Sequence, residues 1–189
     1  MLRHTRPVDS KGRCYGLTDL PPGPDFGAVA DMLAQSLPSV SLIVTSPLMR
    51  CRLLAQRLAE ARDVPMRIDE RIIEMDFGTW EGRLWAEIPR DEIEAWAQDF
   101  LEGRPHGGET VAMLETRVRA ALDDAPGLVE DPDVLWVTHA GVVRAAHAIL
   151  DHGHAWDTEL DFGAWTDLGN HSTGTCRACA SQGSAPQQP

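Results

Sequence analysis

Lysine is nearly missing from this 189-residue chain: sixteen of its seventeen basic residues are arginine, and Lys11 is the exception. Basic charge as a whole is scarce, since twenty-nine acidic residues bring the net charge to −12. That balance argues against nucleic-acid and anionic-membrane partners, which call for a basic face. An anion site must therefore be a local pocket. Arginine, a planar fork matched to phosphate and carboxylate oxygens, is the residue available to build it. Long apolar runs are missing as well, and none approaches the roughly 20 residues of a membrane span. The opening residues, MLRHTRPVDSKG, lack the apolar stretch of a secretory signal. Four cysteines, Cys14, Cys51, Cys176 and Cys179, are too few and too scattered for a disulfide framework. Reduced thiols and a cytoplasmic setting are expected. The GxSxG elbow, the phosphate-cradling P-loop and HExxH are all absent.

What is present fits one globular domain, because domains usually run to roughly 100–200 residues. No internal repeat is found. From Gly169 onward the sequence is small and polar with no apolar period, so 1–168 is expected as the domain and 169–189 as a disordered tail. Cys176 and Cys179 form a CxxC there with His171 nearby, but four zinc ligands at suitable spacing are not available.

Within 1–168 apolar strands alternate with amphipathic helices. Leu42–Ser46 (LIVTS) reads as a buried strand, followed by Ser46-Pro47 as N-cap and first helical residue. The helix then runs to about Arg62, with Cys51, Leu54, Ala55 and Leu58 on one face. A second unit starts at Met66–Ile73. The stretch 80–103 is expected to be mostly helical, with a break at Pro89. Thr110 caps a helix whose Val111, Leu114, Val118, Ala121 and Leu122 share a face. Val134–His139 is the clearest buried strand, a helix over 140–150 follows, and Phe162–Leu168 is expected as a last strand. Continuous apolar strands between helices predict an α/β fold: a mainly parallel sheet with helices on both faces.

In such sheets ligands bind beyond the carboxyl ends of the strands. The polar residues there are Arg3, His4 and Thr5; Thr45 and Ser46, with Arg50 one turn on; Glu74 and Asp76; and Thr138 and His139. Two histidines, two arginines and a carboxylate suit phosphoryl transfer. A histidine can take the phosphoryl group covalently. Arginine forks neutralise its equatorial oxygens. A carboxylic acid can protonate the leaving alkoxide. Glu74 competes with Asp76 and Glu81 for that last part. Phe77 and Trp80 read as core beneath a loop, and capping accounts for Glu109 and Thr110.

The blocks LRHT (2–5), TSPLMRC (45–51), IIEMDFGTWEG (72–82), HGGET (106–110) and VTHAGVVR (137–144) occur in the order found in one family. The chain resembles the histidine phosphatase superfamily, with its phosphoglycerate-mutase-like fold, over about Leu2 to Leu168. The resemblance implies a phosphohistidine intermediate and neither metal nor cofactor. His4 would be the nucleophile, Arg3, Arg50 and His139 the phosphoryl-binding groups, and Glu74 the proton donor. Thr5 stands where the family usually has glycine, and only Met1 and Leu2 precede Arg3. RHTRP followed by GRCYGLTD looks most like the alpha-ribazole phosphatases of cobalamin biosynthesis, which implies Thr5, Tyr15 and Gly16 as substrate-lining residues. The expected partner is a small phosphorylated metabolite. A phosphoglycerate mutase and a non-catalytic phospho-ligand module are the alternatives.

Overall fold

The computed structural model describes residues 1–125, 133–150, 155–168 and 173–174. The elements are β1 (Leu2–Arg3), α1 (Phe26–Ser36), β2 (Leu42–Thr45), α2 (Met49–Arg62), β3 (Met66–Ile68), α3 (Arg90–Gln98), α4 (Val111–Asp124), β4 (Val134–Thr138), α5 (Ala140–Ile149), β5 (Trp165–Thr166) and β6 (Thr173–Gly174). The strands form one sheet in the order β3-β2-β4-β1-β5-β6. β3, β2, β4 and β1 run parallel, while β5 pairs antiparallel with β1 and β6 antiparallel with β5.

Alternation along the strands splits the core into two layers. Leu42, Val44 and Trp136 face α4 and α5, packing with Leu114, Val118, Val142 and Val143. Leu2, Ile43, Leu135 and Val137 face α1 and α2, packing with Leu33, Leu54 and Leu58. The expected architecture, with helices on both faces, is the one observed. Two residues suffice for β1 because it lies between β4 and β5, where the Leu2 side chain is fully buried.

Three local expectations change. α2 begins at Met49, not at Pro47, and its first turn is capped from a distance: Met49 N donates to Asp19 Oδ1 at 2.7 Å. Between 80 and 103 only Arg90–Gln98 is α-helical, with Pro89 at the N-cap; Gly78–Trp80 and Trp85–Glu87 are single 3₁₀ turns. Their aromatic residues pack as a cluster, with Trp80 4.8 Å from His106 and 5.8 Å from Trp96 by ring centroids. The last strand shortens to Trp165–Thr166. Of the segment expected as a tail, only Thr173–Gly174 is described; His171, Cys176 and Cys179 lie outside the described residues.

Candidate active site

Strand register brings the histidines together. Arg3 pairs with Thr138 across β1 and β4, and His4 N donates to the Thr138 carbonyl at 3.0 Å. The residues that follow, His4 and His139, therefore leave neighbouring strands at the same edge, with ring centroids 5.1 Å apart. Both are buried. His4 Nδ1 lies 2.7 Å from the Thr5 carbonyl oxygen. A carbonyl can only accept, so Nδ1 carries the proton and the Nε2 lone pair is left free. Burial, followed by the Arg50 and Arg3 charges, holds the His4 pKa well below the ordinary histidine value. The ring is thus neutral at neutral pH, as a nitrogen nucleophile must be.

His139 Nε2 lies 2.8 Å from Ser46 Oγ, with Cys51 Sγ 3.4 Å away. Burial first, and then Arg50, keep this imidazole neutral also. The Cys51 thiol, pushed strongly up by burial, stays protonated and donates to the Thr138 carbonyl at 3.5 Å. Cys14 and Cys51 are both free and buried.

Arg3 is fixed on one side by Phe162, whose ring centroid is 3.9 Å from the guanidinium carbon, and donates through Nη1 to the Leu160 carbonyl at 2.5 Å. Arg50, fully buried in the first turn of α2, donates to the Gly16 carbonyl at 2.6 Å and the Thr18 carbonyl at 2.8 Å. Its guanidinium carbon stands 5.2 Å from the Tyr15 ring. Tyr15 lies between the two arginines; burial raises its phenol pKa, with Arg3 and Arg50 opposing. Among the described residues, Arg3 Nε, Arg50 Nε and Thr5 Oγ1 are buried polar atoms with no hydrogen-bond partner. Buried donors of this kind are costly unless an acceptor completes them, and an anion is an acceptor that could complete these three.

The three competing carboxylates separate by environment. Glu81 accepts from the backbone N–H groups of Gly16 (2.9 Å), Leu17 (2.9 Å), Thr18 (3.0 Å) and Phe77 (3.1 Å), and from the Thr18 hydroxyl. Burial acts against its charge, but these hydrogen bonds outweigh it and lower the pKa. Glu81 is the anchor of the 14–18 loop. Asp76 Oδ1 accepts from Gly78 N at 2.7 Å within its own turn. Glu74 rests on the N-terminus of α5: Gly141 N donates to Oε2 at 3.3 Å and Met75 N to Oε1 at 3.1 Å. It is the carboxylate that adjoins both Arg3 and an open cleft of about 290 Å³. Among the described residues no group of three or more His, Cys, Asp or Glu side chains could hold a metal ion, and no helix is long and apolar enough to cross a membrane.

With this geometry in hand, comparison with known proteins is decisive at the family level. The family model for the Histidine phosphatase superfamily (branch 1) matches residues 1–177. The chain belongs to this superfamily. Phosphoserine phosphatase 1 of Hydrogenobacter thermophilus is 31% identical over 148 residues, 74% of this chain and 68% of that protein. Adenosylcobalamin/alpha-ribazole phosphatase of Salmonella typhimurium is 28% identical over 132 residues, 67% of this chain and 65% of that one. Glucosyl-3-phosphoglycerate phosphatase of Mycobacterium tuberculosis is 33% identical over 134 residues, 65% of this chain and 59% of that one. The matched segment thus spans about six tenths to two thirds of these relatives' own lengths. Among solved structures, mycobacterial glucosyl-3-phosphoglycerate phosphatase has a TM-score of 0.71 at 28% identity, covering 87% of this chain and 86% of that one. A Thermus thermophilus protein has a TM-score of 0.67 at 31% identity, covering 86% and 88%. The sheet is that of the phosphoglycerate-mutase-like histidine phosphatases.

Around this site Gly16 is expected from the resemblance to line the substrate, whereas Arg117 and Phe162 escape sequence reasoning. Gly16 is a packing position: a Cβ there would overlap the Met75 carbonyl, and both its backbone polar groups are engaged, the N–H by Glu81 and the carbonyl by Arg50. Arg117, on α4, pairs with Glu109 through Nε at 2.7 Å and Nη2 at 2.8 Å, and also donates to the carbonyls of Arg71, Ile73 and Glu74. It fastens the segment carrying Glu74 to α4. The eight-residue spacing of Glu109 and Arg117 along the helix start is the only trace of this in the sequence. Phe162, which braces Arg3, carries no sequence signal of its role.

Proposed function

We propose that the protein is a phosphomonoesterase that needs no metal and works through a phosphohistidine. The observation that carries the reading is the contact of His4 Nδ1 with the Thr5 carbonyl at 2.7 Å, which puts the proton on Nδ1 and leaves Nε2 free on a ring that feels the Arg50 and Arg3 charges. Nε2 attacks phosphorus in line with the ester oxygen; the N–P bond forms as the P–O bond breaks. Arg3, Arg50 and the His139 imidazole N–H bind the three equatorial oxygens. Glu74 gives its proton to the departing alkoxide, then takes one from the water that attacks the phosphohistidine. Phosphate leaves and His4 returns to its starting state. Ser46 orients His139, and the Tyr15 loop, fixed by Glu81 and Arg50, closes one wall.

The substrate is a small phosphorylated metabolite. The RHTRP and GRCYGLTD blocks, together with a relative named for alpha-ribazole, put alpha-ribazole 5′-phosphate first among those to try. The test is phosphate release from a panel of phosphomonoesters, with p-nitrophenyl phosphate as the general substrate and EDTA present throughout. Turnover unaffected by EDTA is expected. Turnover lost to EDTA and restored by a divalent metal would overturn the metal-free mechanism.

A further inference from the structure

The cleft of about 290 Å³ is lined by Glu74, the carboxyl that meets the leaving oxygen in the mechanism proposed above. The alcohol part of the substrate therefore lies in it. Apart from the Glu74 carboxyl, which gives its proton to the leaving oxygen, the side-chain cation and the glycine backbone of its walls have their donors committed within the protein. Arg117 is the cation there, and an arginine side chain has five N–H groups. Here Nε donates to Glu109 Oε1, Nη1 to the Arg71 and Ile73 carbonyls, and Nη2 to the Glu74 carbonyl and Glu109 Oε2, at 2.6–3.1 Å. All five are committed, and the pair is mostly buried, with 19% of the Arg117 side chain and 13% of the Glu109 side chain exposed.

The glycine-rich wall is committed too. Gly107 N donates to the Arg104 carbonyl at 2.8 Å, Gly108 N to His106 Nδ1 at 3.0 Å and Glu109 N to the Asp76 carbonyl at 2.9 Å. Across the cleft, Leu17 N is held by Glu81. What the cleft does present is the carboxylates of Glu74 and Asp76 and two exposed apolar side chains, Leu17 (39%) and Met113 (50%). A substrate anion entering here would lose its water without gaining a donor and would face like charge.

We propose that this cleft selects phosphate esters whose alcohol part carries no negative charge: an amphipathic, hydroxyl-bearing group that gives hydrogen bonds to the carboxylates and lays an apolar face on Leu17 and Met113. The proposal rests on the phosphomonoesterase reading and narrows its substrate class.

A matched pair tests it. Glycerol 3-phosphate and 3-phosphoglycerate differ by a hydroxymethyl group against a carboxylate. Both are measured as substrates and as competitive inhibitors of p-nitrophenyl phosphate hydrolysis. The parent should favour glycerol 3-phosphate by about tenfold or more in kcat/KM or in inhibition constant. Glu109→Gln, which releases Arg117 donors, should move that ratio toward 3-phosphoglycerate by about tenfold. Asp76→Asn, which leaves Arg117 untouched, should move it the same way by less. Equal or better use of 3-phosphoglycerate by the parent, or a ratio unmoved in both variants, overturns the proposal. Absence of phosphate release from all three esters would instead overturn the phosphomonoesterase reading on which it rests.

Discussion

Gly141→Ala tests the placement of Glu74 with a single added carbon. Gly141 is the second residue of α5, and its N–H holds Glu74 Oε2 at 3.3 Å. A Cβ there would overlap Glu74 Oε1 and stand 3.3 Å from its Cδ, inside the roughly 3.5–4.0 Å of a comfortable carbon contact. Leu114 Cδ2, at 3.6 Å, is no obstacle. The carboxylate is the mobile end of a side chain, so it moves and the helix does not. Its retreat by roughly 1 Å should cost on the order of 10²-fold in a step that depends on its position. Alanine also favours a helix over glycine by about 0.8–1.0 kcal/mol, so stability should hold or rise. The assay is kcat/KM for glycerol 3-phosphate against p-nitrophenyl phosphate, alongside thermal unfolding. The alkyl ester, which needs the proton, should slow by about two powers of ten; the nitrophenyl ester, whose leaving group needs none, should slow by less than about threefold. Equal slowing of both esters would refute Glu74 as the donor, and so would equal slowing in Glu74→Gln.

Arg50→Lys keeps the charge but loses the fork, so kcat/KM should fall by about 10²-fold or more on every ester with the far-UV spectrum unchanged; full activity would remove Arg50 from the site. Glu81→Gln places an amide against four backbone N–H donors. Unfolding in urea should show a loss of about 2–3 kcal/mol, and activity should drop alike on good and poor leaving groups, in contrast to Glu74→Gln. Stability should also fall in mild acid. His4 and His139 are held neutral in the fold by burial and by neighbouring arginines. The unfolded chain protonates both near pH 6.5, so protons favour the unfolded state as pH drops. From pH 7.5 to 5.5 the two should lower the unfolding free energy by about 2.7 kcal/mol, and His139→Asn should halve that change. A flat urea profile over this window would show that the imidazoles are not buried neutral.

How much was legible in the sequence follows from how far apart the interacting residues lie. Leu42–Thr45 and Val134–Thr138 carry their burial in unbroken apolar runs, and Thr110 caps α4 as its position implies, through Met113 N at 3.1 Å. Arg3, His4, Arg50 and His139 could be brought together because each lies at or just beyond the end of a parallel strand, and parallel strands end at one edge. The helix start at 46–47 failed because the cap comes from Asp19, thirty residues earlier, and only the folded chain shows it. The helical expectation over 80–103 failed because Trp80 and Trp96 pack, with Phe77, around His106, a contact that lies outside the segment itself. Glu74 could not be told from Glu81 by residue type. Environment separates them: Glu81 is saturated by loop N–H groups, whereas Glu74 looks onto the cleft.

The covalent role of His4 is tested most directly by acid-labile, base-stable phosphate. Parent protein mixed rapidly with phosphate-labelled substrate and quenched in base should hold label approaching one phosphate per chain, on a peptide containing His4. The label should be lost in acid, and it should be absent from His4→Asn, whose turnover should fall by several powers of ten. A parent that turns over substrate without ever carrying label, or a His4→Asn variant that carries it as well as the parent, would contradict the phosphohistidine mechanism.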